Sequence, residues 1–419
     1  MRAPAILRST VLALAFAGAV APFAAPLPAL ARQTDPAQAD TKVFDEVWRL
    51  VERKFYDSNL NGLDWKAVGD KHRKDYAAAM NDAERSAAIN AMLSELDASH
   101  SHHFTQDETA YYDLADIFSY HLRHDLRRHL GSRTVRYPGI GIMTKEIGGK
   151  TFVSAVLPGL PADKAGVLLG DEIISADGKP FGPVASFRDK VGETVALKVR
   201  RTLDAPAMTI EVRPTMIEPD EAFEQALTDS ARIIESNGRR IGYVHVWSYA
   251  GQRFQNALVD LLASGKLKDA DALIWDLRDG WGGAHPRYLD IFNSNAPVLK
   301  LTARDGESGY RGYHWRKPVA LLINKGTRSG KEVLTYGFKK YGHGPVIGER
   351  TAGALLAGTA FILSDGSLLI LAVEDASVDG ERLEGVGVAP TVPVEFDIRY
   401  AAGKDPQIEK AVELLADGA

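Results

Sequence analysis

The sequence predicts an α+β multidomain chain with an N-terminal helical region (42–130), a small β-rich domain (135–215), an α/β core (238–400) and a closing helix (401–419). Three observations carry that division. Phe44, Val47, Trp48, Val51 and Phe55 recur at helical spacing. From Tyr137 to about Pro214 the signals change to short β-runs separated by glycine turns. From Ile241 onward, apolar strands alternate with helical patterns, which argues for a core of buried parallel strands.

The first residues are a separate case. Arg2 and Arg8 precede an uncharged apolar run, Val11 to Val20, about half the roughly 20 residues that span a bilayer. Pro22, Pro26 and Pro28 follow, then Ala29-Leu30-Ala31. This order predicts a signal peptide over 1–31 cut after Ala31, hence an exported protein, in a bacterial periplasm, with no transmembrane anchor. Losing the two arginines takes the formal charge from -5 to -7. Gln33 to Asp40 reads as a short polar linker.

Within the helical region, Phe44 to Phe55 is one helix. A second begins after Asn81-Asp82-Ala83-Glu84, which has the form of a capping box, and its apolar face is Ala88, Met92 or Leu93, and Leu96. The stretch between these helices and the one after His103 carry no clear period. In the β-rich domain, Phe152 to Val156 and Ala196 to Val199 read as strands, and Pro161 to Gly166 as a one-turn helix closed by glycine. Glu218 to Asn237 reads as a charged, helix-compatible connector. In the core, Ile241 to Trp247, Leu273 to Leu277, Val319 to Ile323 and Leu368 to Val373 read as strands, with helices over Phe254 to Leu262 and Glu332 to Tyr341.

Composition excludes several classes of function. At 45% hydrophobic and 25% charged residues over 419 positions, the chain is neither disordered nor a multi-span membrane protein. Zero cysteines remove a disulfide framework, a thiolate zinc site and a cysteine nucleophile. With 50 basic against 55 acidic residues and no long basic run, nucleic acid is not the expected partner.

Four segments carry chemistry. In Leu322 to Glu332 an apolar strand leaves through a glycine turn and a helix starts at once, placing the Ser329 hydroxyl beside free backbone N–H groups that stabilise an acyl-transfer oxyanion. The same Ser329-x-x-Glu332 spacing also describes a plain capping box. In Asp276 to Gly283 a buried strand ends in a glycine loop that lets backbone N–H groups approach a ligand, or simply turns. In Leu383 to Pro390, Glu384 sits at the edge of a Gly/Val turn, where it orients a partner or is merely solvated. In Ala98 to His103, three histidines in four positions suggest a metal site, a surface patch or one general base. No His-Glu-x-x-His motif supports the metal.

Together and in this order, the segments resemble the C-terminal processing protease and tricorn-core family of serine peptidases. Ser99-His100 is similar to that family's Asp-Ser-His-Thr. Tyr137 to Ile142, Ser154 to Val156, Pro161-Ala162, Ala165 to Val167 and Gly170 to Ile174 resemble a PDZ domain, with Tyr137 to Ile142 as its carboxylate-binding loop. Asp276-Leu277-Arg278 with Gly282-Gly283, Asn324 with Thr327-x-Ser329-x-x-Glu332, and Gly348-Glu349-Arg350-Thr351 with Gly353 resemble motifs of the protease core.

The resemblance implies a crotonase-like βα spiral for the core, no cofactor and polypeptide substrates. It implies Ser329 as nucleophile and the N–H groups of Gly282 and Gly330 as oxyanion hole. The lysine base of the processing branch falls at Ala354, so the tricorn-like set applies, with His100 as general base and Ser99 and Glu384 orienting it. Gly139, Ile140, Gly141 and Ile142 would bind peptide C-termini, the isoleucines facing an apolar pocket. An imidazole near its ordinary pKa of about 6.5 would give activity rising between roughly pH 6 and 8. Trp281 stands where the family has proline, Lys331 where it has a small residue, and Asp97-Ala98 where two acids are common. Lys325, Lys331 and His285 are the rival bases. The alternative reading is a non-catalytic peptide- or lipid-binding protein on the same fold.

Overall fold

Phe44, Val47 and Val51 lie on one face of the helix Lys42–Lys54 and are fully buried against the helices Trp65–Ala78 and Asp82–Ser94. This computed structural model describes residues 41–417 apart from 294–296, 298 and 312. The expected signal peptide and the linker to Asp40 lie outside the described residues. Among these residues no helix is long and apolar enough to cross a membrane.

The Asn81 cap forms, but the return bond of the expected capping box goes to Met80, one residue before the cap. Asn81 accepts the Glu84 N–H at 2.9 Å, and Glu84 accepts the Met80 N–H at 2.6 Å. Three helices escaped the sequence reading: Trp65–Ala78, Thr109–Ile117 and Ser119–Leu130. The first hides because its buried face is Trp65, Gly69, His72 and Tyr76, only half of it recognisably apolar.

The β-rich domain is a five-stranded antiparallel sheet, ordered Ile142–Ile147, Lys150–Val156, Glu172–Ala176, Val195–Arg200, Met208–Val212. The short helix Pro161–Ala165 ends at Gly166, whose φ of 80° suits a residue without Cβ. Tyr137–Gly139 pairs with Thr215–Ile217 where the chain enters and leaves the domain.

The core is a six-stranded sheet ordered Val392–Pro393, Val346–Gly348, Val319–Ile323, Ala272–Asp276, Arg239–His245, Arg232–Ser236. Its first five strands are parallel; the last is antiparallel. Every residue of Ala272–Asp276 and Val319–Ile323 is buried, as central parallel strands require. The connector reading of Glu218 to Asn237 is corrected here: Pro219–Ser230 is helical, but Arg232–Ser236 is an edge strand whose partner, Arg239–His245, follows a two-residue turn.

Leu368–Glu374 is a strand, but not of this sheet. It pairs with Ala357–Ile362 on one side and with His102–Phe104 on the other. Leu368 and Ile370 face the main core, while Leu369 and Leu371 face the helical region's core. This small sheet fastens the helical region to the core and fixes the position of the neighbouring Ser99 and His100.

Candidate active site

The strand Val319–Ile323 leaves the sheet through a turn bonded to the neighbouring glycine loop. Asn324 accepts the Asp279 and Gly326 N–H groups at 3.1 and 2.9 Å and donates to Asp279 Oδ2 at 2.8 Å. Thr327 donates to the Leu277 carbonyl at 3.1 Å. Ser329 follows at φ 55° and ψ −131°, a conformation costly for any residue with a Cβ. Its N–H donates to the Ala354 carbonyl at 2.8 Å, and its side chain makes no capping hydrogen bond.

The plain capping box is therefore not what this segment builds. Glu332 turns instead to the following loop, accepting Thr351 Oγ1 at 2.6 Å and the N–H groups of Gly353 and Ala354 at 2.8 and 2.7 Å. Burial pushes the Glu332 carboxyl up, and these hydrogen bonds oppose it.

Gly282 packs directly against Ser329. A Cβ on Gly282 would lie 2.5 Å from Ser329 Cβ and 3.0 Å from the Gly330 nitrogen. A Cβ on Gly330 would lie 2.3 Å from the Ala284 nitrogen. Among the described residues, neither the Gly282 nor the Gly330 N–H has an acceptor. Two free donors beside a serine hydroxyl are what a developing oxyanion requires.

His100 reaches the same place from the helical region. Its Nδ1 lies 2.9 Å from Ser99 Oγ, and the Ser99 hydroxyl donates to Glu384 Oε2 at 2.9 Å. An ionised carboxylate can only accept, so the Ser99 hydrogen points to Glu384 and Ser99 must accept from His100 Nδ1–H. That assigns the tautomer and leaves the Nε2 lone pair free. Glu384 is itself held by the N–H groups of Ser99, Leu355 and Leu356 at 2.8, 2.7 and 3.1 Å.

Gly358 supports the ring: a Cβ there would lie 2.9 Å from His100 Cβ and 3.1 Å from Cδ2. Burial pushes the His100 pKa down to about 4; Glu384 opposes this and Arg328 adds to it. The imidazole is thus neutral at pH 7, and the expectation of an unshifted value near 6.5 is corrected.

Ser329, His100, Ser99, Gly282 and Ala354 line one cavity of about 670 Å³, whose apolar wall includes Phe104, Leu114, Ile117, Phe118 and Ile370. Among the described residues no hydrogen bond joins Ser329 Oγ to His100; the two side chains share the cavity without one. Such bonds are often long before substrate binds.

Of the other two histidines in the cluster, His102 lines the same cavity and His103 does not. His103 is buried between Ser86 Oγ and Ser367 Oγ, each at 2.8 Å, and His102 packs on Phe104 on the opposite strand face. Among the described residues no group of three or more His, Cys, Asp or Glu is placed to hold a metal.

The rival bases lie elsewhere. Lys325 is exposed and paired with Glu349 at 2.7 Å. Lys331 is buried, with its pKa pushed down to about 7 by burial, but donates to the carbonyls of Asp279 and Trp247 at 2.8 and 3.2 Å. His285 accepts the Arg287 N–H at 3.1 Å. None of the three lines the cavity.

In the β-rich domain, Ile140 and Ile142 pack into the domain's own core, 1% and 9% exposed, rather than onto an apolar pocket. Gly139 lies against Tyr137 and Ile217, and Gly141 against Leu160. What this segment offers a ligand is backbone, continued by the open edge of Ile142–Ile147.

Several residues at or beside the cavity escaped the sequence reading: Phe104, Leu114, Ile117 and Phe118 of its apolar wall, and Gly358, Arg328 and Leu355. Gly358 was detectable as a glycine inside an apolar strand, a sign of close approach. Arg328 and Leu355 carried no signal beyond their nearness to Ser329 and Ala354.

Comparison with known proteins adds an independent line. Residues 240–394 match the model of peptidase family S41, residues 36–94 the tricorn protease C1 domain, and residues 152–201 a PDZ domain. Two tricorn protease homologs of Streptomyces coelicolor are 27% identical over 408 residues and 26% over 403; the matches cover 92% and 91% of this chain but only 33% and 36% of theirs. The chain thus spans about a third of the length of those relatives. A chloroplastic carboxyl-terminal-processing peptidase of Arabidopsis thaliana is 26% identical over 377 residues, covering 84% of this chain and 68% of its own. Among solved structures, the tricorn protease superposes with a TM-score of 0.50 at 20% identity, over 90% of this chain and 36% of that one, a likeness of fold.

Proposed function

We propose, from the match of residues 240–394 to peptidase family S41, that the chain is an exported serine endopeptidase that cuts polypeptides through an acyl-enzyme on Ser329, with a PDZ-like domain that binds polypeptide C-termini. The division that goes with this reading is a helical region (42–130), a PDZ-like domain (135–215), a protease core (238–400) and a closing helix (401–419). The observation that carries the mechanism is the continuous hydrogen-bonded series Glu384–Ser99–His100, ending in the cavity that holds Ser329.

The chemistry follows from that geometry. His100 Nε2 takes the Ser329 proton as Oγ attacks the scissile carbonyl carbon. The oxyanion receives hydrogen bonds from the Gly282 and Gly330 N–H groups. The imidazolium donates through Nδ1 to Ser99, whose hydroxyl passes the polarisation to the Glu384 carboxylate. His100 then protonates the leaving amine, and the C–N bond breaks to leave an ester on Ser329. Water enters, loses a proton to His100 and attacks the ester, releasing the new carboxylic acid and restoring the serine.

The test is hydrolysis of an internally quenched polypeptide, with product masses determined, by the intact protein and by Ser329→Ala. Internal cleavage by the first and none by the second supports the reading. Equal turnover by both overturns it.

A further inference from the structure

Arg328 precedes Ser329 and lines the same cavity. Its guanidinium lies over the Trp281 ring, 5.6 Å from the centroid, and the Trp281 indole N–H is fixed on Asp113 Oδ2 at 3.0 Å. Among the described residues the Arg328 guanidinium has no ion-pair partner, and its only hydrogen bond is a long one, 3.4 Å from Nε to the Gly326 carbonyl. The two carboxylates that influence it electrostatically are engaged elsewhere. Asp279 is held by Lys145 and Asn324, and Glu332 by Thr351, Gly353 and Ala354. Burial lowers the Arg328 pKa, yet a guanidinium stays charged in any protein environment.

A half-buried cation without a counter-charge, one residue from the nucleophile, presents a planar set of donors matched to a carboxylate. Phe104, Leu114 and Phe118 give the same cavity an apolar wall. We propose that Arg328, positioned by Trp281, is a specificity residue that binds a substrate carboxylate beside the scissile bond, with an apolar group in the adjoining recess. This inference rests on the reading of Ser329 as the nucleophile. The carboxylate has two possible sources, an acidic side chain flanking the cut or the free end of a short peptide.

The experiment uses peptides of one apolar core in four forms: Glu or Gln at the flanking position, each with a free-acid or amidated end. Hydrolysis is measured with the wild-type chain, Arg328→Gln and Arg328→Lys; binding is measured with Ser329→Ala and with the Ser329→Ala, Arg328→Gln double variant. The wild type should prefer a carboxylate form by roughly 10- to 100-fold in kcat/KM, the range of a charged hydrogen bond. Arg328→Gln should lose that preference, cutting the acidic and neutral forms with equal kcat/KM, and Arg328→Lys should keep part of it.

Preference for Glu over Gln with amidated ends identifies a side chain; preference for acid over amide that disappears in Arg328→Gln identifies a chain end. Any end preference belonging to the PDZ-like domain persists in the variant and is thereby separated. The same carboxylate preference with and without Arg328 overturns the proposal. Because the Ser329→Ala pair reads binding alone, a loss of hydrolysis throughout counts against the nucleophile and leaves Arg328 still tested.

Discussion

The Glu384 carboxylate accepts two hydrogen bonds from Ser99, 285 residues away in sequence: the N–H on Oε1 at 2.8 Å and the hydroxyl on Oε2 at 2.9 Å. The same carboxylate also takes the Leu355 and Leu356 N–H groups. It therefore ties three segments together at the edge of the cavity and fixes the direction of the Ser99 hydrogen. In the proposed mechanism Glu384 would serve the chemistry as well as the structure, and the two roles separate by substitution.

Glu384→Ala should lower kcat/KM by roughly 10²- to 10⁴-fold, on the scale seen when a base loses its orienting acid. It should also lower the thermal midpoint, because each buried donor left without an acceptor costs about 1–3 kcal/mol. Ser99→Ala should lower kcat with little change in midpoint, since the Ser99 N–H still reaches Glu384. Steady-state kinetics and calorimetry on the two variants check this; a fully active Glu384→Ala would remove the residue from the account.

Burial holds the His100 pKa near 4, below its ordinary value of about 6.5. Only the neutral ring accepts the Ser329 proton, so activity is lost as pH falls through the folded-state value. The acid limb of kcat/KM should therefore lie near pH 4 to 5, with a plateau already reached by pH 6. A pH–rate profile between pH 4 and 9 measures it. The sign for stability is the same: the unfolded chain binds this proton at higher pH, so the contribution of His100 is present above about 6.5 and is lost as pH falls towards 4.

Gly358→Ala should lower kcat by roughly 10- to 100-fold with the fold intact, because a Cβ 2.9 Å from His100 Cβ forces the imidazole to move. Circular dichroism together with kinetics separates this from unfolding.

The open edge of Ile142–Ile147 and the backbone of Ile140 and Gly141 should take an added peptide strand ending in a free carboxylate. Calorimetry on Ser329→Ala with free-acid and amidated peptides should show tighter binding of the acid, and equal affinities would count against it.

How much of this was legible depended on whether a feature was local. The five apolar residues of Val319–Ile323, the turn and the following helix were readable because strand, glycine and helix signals stand side by side. Whether Ser329 caps its helix was not readable, because that is decided by a φ of 55° and by where Glu332 turns. The helix Trp65–Ala78 was hidden because Gly69 and His72 belong to its buried face. The pairing of His102 with Ile370 left no local trace, yet it carries the helical region to the core and brings His100 over Gly358. The low pKa of His100 was equally out of reach, since it comes from burial in a cavity built by distant segments.

The most direct measurement is labelling by a serine-reactive fluorophosphonate, mapped by peptide mass spectrometry, on the wild-type chain and on a folded His100→Ala variant. The account predicts label on Ser329 in the first and loss of at least nine-tenths of the labelling rate in the second, a conservative share of the roughly 10²- to 10⁴-fold that a general base contributes. Label on another serine, or equal labelling of Ser329 with and without His100, would contradict it.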